Sequence, residues 1–98
     1  MIESCSQSAV DASLKALNKN SAGSWSIKEG KLTREFKFPD FVLAFGFMTK
    51  VAILSEKANH HPEWSNVYNS VIINLTTHEA GGISKRDFEL AQEVSKLI

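Results

Sequence analysis

The alternation of hydrophobic and polar residues predicts the first helix and hairpin of the chain. Hydrophobic residues recur at helical spacing over residues 6–20, and the polar segment 20–23 is predicted to end this helix. Residues 25–27 and 32–38 then alternate around a turn at Glu29 and Gly30. This pattern predicts a hairpin with one solvent-facing side, on which Thr33, Glu35 and Lys37 lie opposite Leu32, Phe36 and Phe38.

A long hydrophobic segment follows Pro39 and predicts a helix over residues 41–59, with Asp40 as its N-cap. Its hydrophobic residues form two stripes on roughly opposite sides. The stripes are Phe41, Ala44, Phe45, Met48 and Ala52, and Leu43, Phe47, Val51, Leu54 and Ala58. A helix that is hydrophobic on two sides needs two covers, so we expect one stripe to meet another subunit.

The second half of the chain predicts another hairpin and a final helix. Residues 64–68 and 71–78 are predicted strands around a turn at residues 69–70. The second strand is expected to carry Ile72, Asn74, Thr76 and His78 on its more polar face. After a loop at Gly81 and Gly82, Ser84 and Asp87 resemble a capping box for the last helix, whose inward residues are Phe88, Ala91, Val94 and Leu97.

The resulting order, α-β-β-α-β-β-α, predicts an α+β fold in which helices cover one face of an antiparallel sheet. A length of 98 residues fits one domain, residues 1–98. The 43% hydrophobic content excludes a disordered chain, and eleven charges of each sign give no basic surface for nucleic acid. The single Cys5 cannot form an internal disulfide, which favours a reducing compartment. Gly46, Thr49 and Lys50 interrupt the longest hydrophobic segment, so we expect no membrane span.

Candidate chemistry is concentrated in the three histidines. His60 and His61 are adjacent, and Pro62 ends the preceding helix, so both rings can turn into one pocket at a helix-to-strand corner. His78 closes the predicted polar strand face. Imidazole titrates near neutral pH, which suits general acid–base chemistry. A zinc site is disfavoured because adjacent histidines chelate poorly, and three ordinary surface or capping histidines remain an alternative.

Other residues near these histidines have both functional and structural interpretations. Glu56 lies one helical turn before His60, and Asp87 begins the last helix, so either carboxylate could orient a histidine or act only as a surface charge or a cap. Trp64 and Tyr68 are predicted on one strand face, where core packing is the simpler interpretation and ligand stacking the alternative.

Several polar motifs at consistent spacing resemble the pterin-4a-carbinolamine dehydratase family. They are residues 45–49 (FGFMT), 56–64 (EKANHHPEW), 66–69 (NVYN), 75–79 (LTTHE) and 82–87 (GISKRD). The resemblance runs from about Trp25 to the C-terminus. It implies an α+β fold with a four-stranded antiparallel sheet and dehydration of 4a-hydroxytetrahydropterin to quinonoid dihydropterin. That reaction recycles the cofactor of aromatic amino-acid hydroxylases and needs no metal or redox cofactor.

The resemblance also assigns residues. It implies pterin contacts from Asn59, His60 and His61 and from Thr76, Thr77 and His78, with His60 and His78 as proton donors and acceptors and His61 mainly holding the pterin. Some members have an aspartate at the position of Asn59, so this chain lacks a charge there. Thr76 replaces a serine of other members and keeps the hydroxyl. We expect Glu56, Trp64 and Asp87 to support these residues.

The resemblance finally implies partners. Members form oligomers, commonly tetramers, and animal members bind the dimerisation segment of a homeodomain transcription factor as coactivators. A cytoplasmic location is expected for the enzyme, and a nuclear one for the coactivator. The alternative function is therefore an interaction protein that uses its hydrophobic helix. The complete set of three histidines favours the enzyme, because a pure binding module would not need it.

Overall fold

The computed structural model describes residues 2–19 and 24–98, so the helix end predicted at residues 20–23 lies outside the described part. The elements are helix α1 (Gln7–Asn18), strands β1 (Ser26–Lys28) and β2 (Lys31–Lys37), helix α2 (Phe41–Ala58), strands β3 (Glu63–Val67) and β4 (Ser70–Leu75), and helix α3 (Lys85–Ser95). A single 3-10 turn, His78–Ala80, lies between β4 and α3. This order confirms the predicted α-β-β-α-β-β-α arrangement.

The four strands form one antiparallel sheet in the order β1-β2-β4-β3. Side chains alternate across a strand, so paired residues share a face. The face that contains most of the core is built by the pairs Leu32 with Leu75, Arg34 with Ile73 and Phe36 with Val71. The other face of β2 carries Glu35 and Lys37, which are exposed as the sequence predicts, but Thr33 on the same face is buried, so the prediction of a solvent-facing Thr33 is wrong.

The hydrophobic core lies between this sheet face and the helices. Its buried side chains come from all three helices, from β2 and β4, and from the segments before β1 and α3, and include Leu17, Trp25, Leu32, Phe36, Phe47, Val51, Val71, Ile73, Leu75, Ile83, Leu90 and Val94. Trp25 meets Phe36 edge to face with ring centroids 5.8 Å apart. Burial of large aliphatic and aromatic side chains is the main stabilising contribution in so small a chain.

Helix α2 is hydrophobic on two sides, but its buried side differs from both predicted stripes. The Asp40 side chain accepts from the Leu43 N–H at 2.9 Å, which confirms the N-cap. The buried residues are Ala44, Phe47, Val51 and Ser55. Met48 and Leu54 pack partly against the core. Ala44 and Met48 therefore belong inside, and Leu43 outside, because a nearly uniform hydrophobic sequence contains little information about which side faces the sheet.

The exposed side of α2 is large. Phe41, Val42, Leu43, Phe45 and Ile53 are 46%, 76%, 51%, 57% and 64% exposed in the single chain. The rings of Phe41 and Phe45 lie side by side, with centroids 5.7 Å apart. Isolated exposed hydrophobic residues are normal, but a run along one helix marks a surface that another molecule can cover.

The prediction that β4 continues to His78 is wrong. The strand ends at Leu75, and Thr76, Thr77 and His78 follow outside it. Thr77 pairs instead with Gly82, with hydrogen bonds of 3.0 Å and 3.3 Å between their backbones. Gly81 has φ 73°, a conformation that favours glycine, and it lets the chain reverse within this short loop. Thr76 and His78 therefore do not continue the polar strand face.

The prediction for Trp64 and Tyr68 is also wrong in part. Trp64 lies in β3 and packs against the core, opposite Ile73 of β4. Tyr68 falls in the turn between β3 and β4, with φ 49° and 63% exposure. The two rings do not share a strand face, because β3 begins at Glu63 and ends at Val67.

Candidate functional site

The end of α2 separates the two adjacent histidines. Asn59 is the C-cap in the left-handed conformation, with φ 51°, which asparagine tolerates better than most residues. The His60 N–H then donates to the Ser55 carbonyl at 3.0 Å, which closes the helix end. His60 turns into the protein and is buried, while His61 remains exposed before Pro62. Only His60 is buried, so the two rings do not enter one pocket together as expected.

His60 forms a buried contact with Asp87 at the start of α3. Its Nε2 lies 2.5 Å from the Asp87 Oδ1, and Asp87 is fully buried. The second oxygen, Oδ2, accepts from the Thr77 hydroxyl at 2.8 Å and from the Ser84 N–H at 2.9 Å. The capping box of α3 is present as predicted, and the same carboxylate that completes it also fixes the His60 ring.

Thr77 is fully engaged in this buried network. It is 1% exposed, and its hydroxyl also lies 2.6 Å from the Ser84 hydroxyl. The Thr77 hydroxyl is bound by Ser84 and Asp87 in this structure. The contact of Thr77 with a ligand stays a prediction. Its structural contribution is clear from the bonds above: Thr77 links the segment before His78 to Asp87, and through Asp87 to His60.

His61 and His78 each pair with an exposed or half-exposed glutamate. His61 Nε2 lies 2.5 Å from Glu56 Oε1, across the end of α2. His78 Nε2 lies 3.0 Å from Glu63 Oε2, at the start of β3. The predicted partner Glu56 therefore orients His61 and not His60, because the left-handed Asn59 turns His60 away from the helix face.

Glu63 was not predicted as a site residue. Its other oxygen, Oε1, lies 2.5 Å from Lys31 Nζ at the start of β2. The Lys31 hydrogen bond and charge, with a smaller contribution from His78, hold the pKa of the Glu63 carboxyl below its usual range. Glu63 therefore stays ionised and can hold the His78 ring. The sequence signal was weak, because Lys31 and Glu63 meet only through the strand order.

Arg86 is a second residue that sequence reasoning missed. Its Nη2 donates to the Asn59 carbonyl at 2.5 Å, and its Nη1 lies 3.7 Å from Glu79 Oε2. It therefore joins the end of α2 to the 3-10 turn and the start of α3. The predicted residue Asn59 thus contributes its backbone to the site, and its own side chain is exposed.

Two links bring the predicted segments together. In the first link, Thr77 and His60 both contact the Asp87 carboxylate. In the second, His78 contacts Glu63, which follows His61 by two positions. Two cavities flank them. One of about 300 Å³ is lined by His60 and by Leu54, Lys57, Ala58, Arg86, Glu89, Leu90 and Glu93. The other, about 340 Å³, is lined by Thr76 and His78 with Glu29, Gly30, Lys31, Gly81 and Gly82.

This arrangement can move protons. Each of the three imidazoles has its Nε2 on a carboxylate oxygen, which orients the ring, and an oriented imidazole can give or take a proton. Within residues 2–19 and 24–98, no three histidine, cysteine or acidic side chains converge in a way that could hold a metal ion. In the same part of the chain, the helices are too short or too polar to span a membrane.

Comparison with known proteins gives a consistent result. The family model described as Pterin 4 alpha carbinolamine dehydratase matches residues 3–97. A protein of Prochlorococcus marinus (strain NATL2A) named "Putative pterin-4-alpha-carbinolamine dehydratase" is 57% identical over 75 residues, which are 76% of this chain and 79% of that protein. A protein of the same name from Solibacter usitatus (strain Ellin6076) is 56% identical over 82 residues, 84% of each chain.

A solved structure is similar over nearly the whole chain. It is the crystal structure of a transcriptional coactivator/pterin dehydratase from Brucella melitensis, with a TM-score of 0.86 and 37% sequence identity. The match covers 97% of this chain and 98% of that one. The likeness therefore includes the segments that carry the three histidines as well as the sheet and helices.

Proposed function

The chain belongs to the pterin 4 alpha carbinolamine dehydratase family, and we propose that it dehydrates 4a-hydroxytetrahydropterin to quinonoid dihydropterin. The observation that carries this proposal is the set of three imidazoles, His60, His61 and His78, each oriented by a carboxylate. A binding module has no need for such pairs. The names of the relatives support the same class of reaction.

The proposed reaction is a loss of water. The hydroxyl on C4a receives a proton and leaves as water, while the neighbouring ring nitrogen loses its proton and its electrons form the C=N bond. Atoms and charge balance with one acid and one base. No metal or redox cofactor takes part. Positioned acid–base groups contribute about 10²–10⁴-fold in such steps.

We assign the proton transfers to His60 and His78, with His61 holding the pterin. His60 is supported by a buried carboxylate, so its ring orientation is fixed more firmly than those of the exposed histidines. Asn59, Thr76 and Thr77 are proposed as further pterin contacts. Asp87, Glu56 and Glu63 are positioning residues, each acting through the histidine that it binds. Trp64 supports β3 from the core side.

The direct test is a dehydration assay with 4a-hydroxytetrahydropterin formed in place by a pterin-dependent hydroxylase. Purified protein should accelerate the appearance of quinonoid dihydropterin in proportion to its concentration. A heat-unfolded sample provides the background rate, since the carbinolamine also loses water unaided. An identical rate with folded and unfolded protein would contradict the proposal.

A second candidate function is interaction with another protein through α2. The exposed hydrophobic side of that helix supports it, as does the word coactivator in the name of the Brucella melitensis protein. We propose that copies of this chain associate through this side into a dimer or tetramer. A transcription-factor dimerisation segment would compete for the same surface. Mass measurement with and without such a segment would distinguish the two.

A further inference from the structure

Arg34 is a buried cation on the core side of the sheet. It lies in β2 between Leu32 and Phe36, and all three face the helices. Arg34 is only 7% exposed. Its guanidinium carbon lies 4.5 Å from the Phe36 ring centroid and 6.0 Å from that of Trp25. Alternation along the sequence places Arg34 on the same side as Leu32 and Phe36, but it does not show whether the guanidinium is buried.

One nitrogen of this guanidinium lacks a hydrogen-bond partner in the described part of the chain. Its Nη1 is buried and has no hydrogen-bond acceptor there. The carboxylate of neighbouring Glu35 accepts from the Ser70 hydroxyl at 2.6 Å and lies 3.6 Å from Lys37 Nζ, so it is paired with those groups and not with Arg34. Burial lowers the pKa of Arg34, so the charge is held at a cost. Contacts with aromatic faces offset only part of that cost.

A cavity of about 450 Å³ lies at this guanidinium. Hydrophobic and polar side chains contribute about equally to its walls, which are lined by Ser24, Arg34, Glu35, Phe36, Lys37, Phe38, Leu97 and Ile98. Small-molecule sites combine hydrophobic walls with a few placed polar groups, and here Phe36, Phe38, Leu97 and Ile98 line the cavity beside the buried Arg34. It includes none of the three histidines, so it is separate from the proposed dehydration site.

We propose that this cavity binds a small monocarboxylate with a hydrophobic or aromatic body. The carboxylate pairs with the Arg34 guanidinium, whose planar arrangement of N–H groups matches two carboxylate oxygens. The body contacts Phe36, Phe38 and Leu97. Glu35 and Lys37 also line the cavity and offset each other's charge at 3.6 Å, so the buried Arg34 cation favours a ligand with a single negative charge. The site does not depend on the proposed dehydratase activity.

The test uses nuclear magnetic resonance of the full, 15N-labelled chain titrated with benzoate. The Arg34 side-chain N–H and the Trp25 indole N–H should shift and saturate, because both groups lie at the cavity or beside its cation. The Trp64 indole, in β3, is the internal control and should not move. Benzamide has the same shape without the charge and should bind at least about 10-fold more weakly, the effect of losing a charge-assisted hydrogen bond.

Variants make the test specific. Arg34→Met keeps much of the side-chain length and removes the charge, so the preference for benzoate over benzamide should disappear. Lys28→Met changes an exposed position on β1 and is the matched control, which should still prefer benzoate over benzamide. If Arg34→Met does not fold, Arg34→Lys should bind benzoate more weakly than the unmodified protein. Equal binding of benzoate and benzamide, no shift up to the solubility of benzoate, or a preference that survives Arg34→Met would overturn the proposal.

Discussion

Asp87 holds the His60 ring with one carboxylate oxygen and caps its own helix with the other. The first contact measures 2.5 Å to His60 Nε2, and the second 2.9 Å to the Ser84 N–H. Helix α3 therefore cannot shift at its start without moving the imidazole at the end of α2. The stability of the fold and the orientation of a candidate proton-transfer group depend on the same buried side chain.

Replacing Asp87 with Ala is expected to lower the free energy of unfolding by roughly 3–5 kcal/mol, as removal of one member of a buried charged contact does. The Thr77 hydroxyl and the Ser84 N–H would lose their acceptor as well. Urea unfolding measures the change. Glu89→Ala, an exposed position on the same helix, is the control and should change stability by no more than about 0.5 kcal/mol. Equal effects from the two substitutions would show that the buried network contributes little.

Replacing both His60 and His78 with Ala should remove nearly all dehydration above the background, a loss of about 10²–10⁴-fold. The assay compares initial rates at equal protein concentration. Gln92→Ala, an exposed position on α3, should retain full activity. Circular dichroism confirms that the double variant is folded. Undiminished turnover by a folded double variant would rule out these two histidines as the proton-transfer pair.

The protein should keep its activity after exhaustive treatment with a metal chelator, because the proposed reaction needs only proton donors and acceptors. The rate before and after chelation is measured in metal-free buffer. A loss of activity that zinc restores would instead support a metal-dependent mechanism. A loss that no metal restores would indicate damage to the protein and calls for a repeat with a milder chelator.

The contact of Glu63 with Lys31 and His78 should give stability that depends on pH. Because the pKa of Glu63 is lowered in the folded state, this stability is full above the unfolded pKa of about 4.3 and is lost as pH falls through the folded value. The difference in free energy of unfolding between the unmodified protein and Glu63→Gln should therefore be constant near neutral pH and shrink in acid. In a Lys31→Met background the difference should be much smaller at every pH. A difference in free energy of unfolding that grows on acidification would contradict a lowered pKa of Glu63 in the folded protein.

The exposed side of α2 should mediate association between copies. Phe45→Asp and Ile53→Asp change residues that are 57% and 64% exposed, so they should lower the molar mass and leave the chain folded. Each hydrophobic side chain fully buried in an interface contributes about 1.5–3 kcal/mol. Phe47→Asp, at a position 6% exposed, should unfold the chain. Light scattering over a dilution series measures the mass, and a monomer at every concentration of the unmodified protein would refute the association.

The sequence by itself determined the elements and their order. Hydrophobic period, the proline after His61, the Asp40 N-cap and the Ser84–Asp87 capping box depend on neighbours within a few residues, so local patterns reveal them. The same locality explains why the motifs around His60 and His78 could indicate a family before any contact was known. The sequence also indicated two hydrophobic sides on α2, since residue types alone show that too few polar positions exist there.

Tertiary structure alone decided which groups meet. Asp87 binds His60 across 27 positions of sequence, Glu63 meets Lys31 across 32, and Arg86 reaches Asn59 across 27, because the strand order and the docking of α3 bring distant segments together. It also decided which side of α2 is buried, and that β4 stops at Leu75 so that Thr77 can turn inwards. Arg34 shows the same limit: alternation placed it on the inward face, but only packing showed a buried guanidinium against Phe36. Local chemistry fixes what each segment can form, and long-range packing fixes which partner each charged side chain receives.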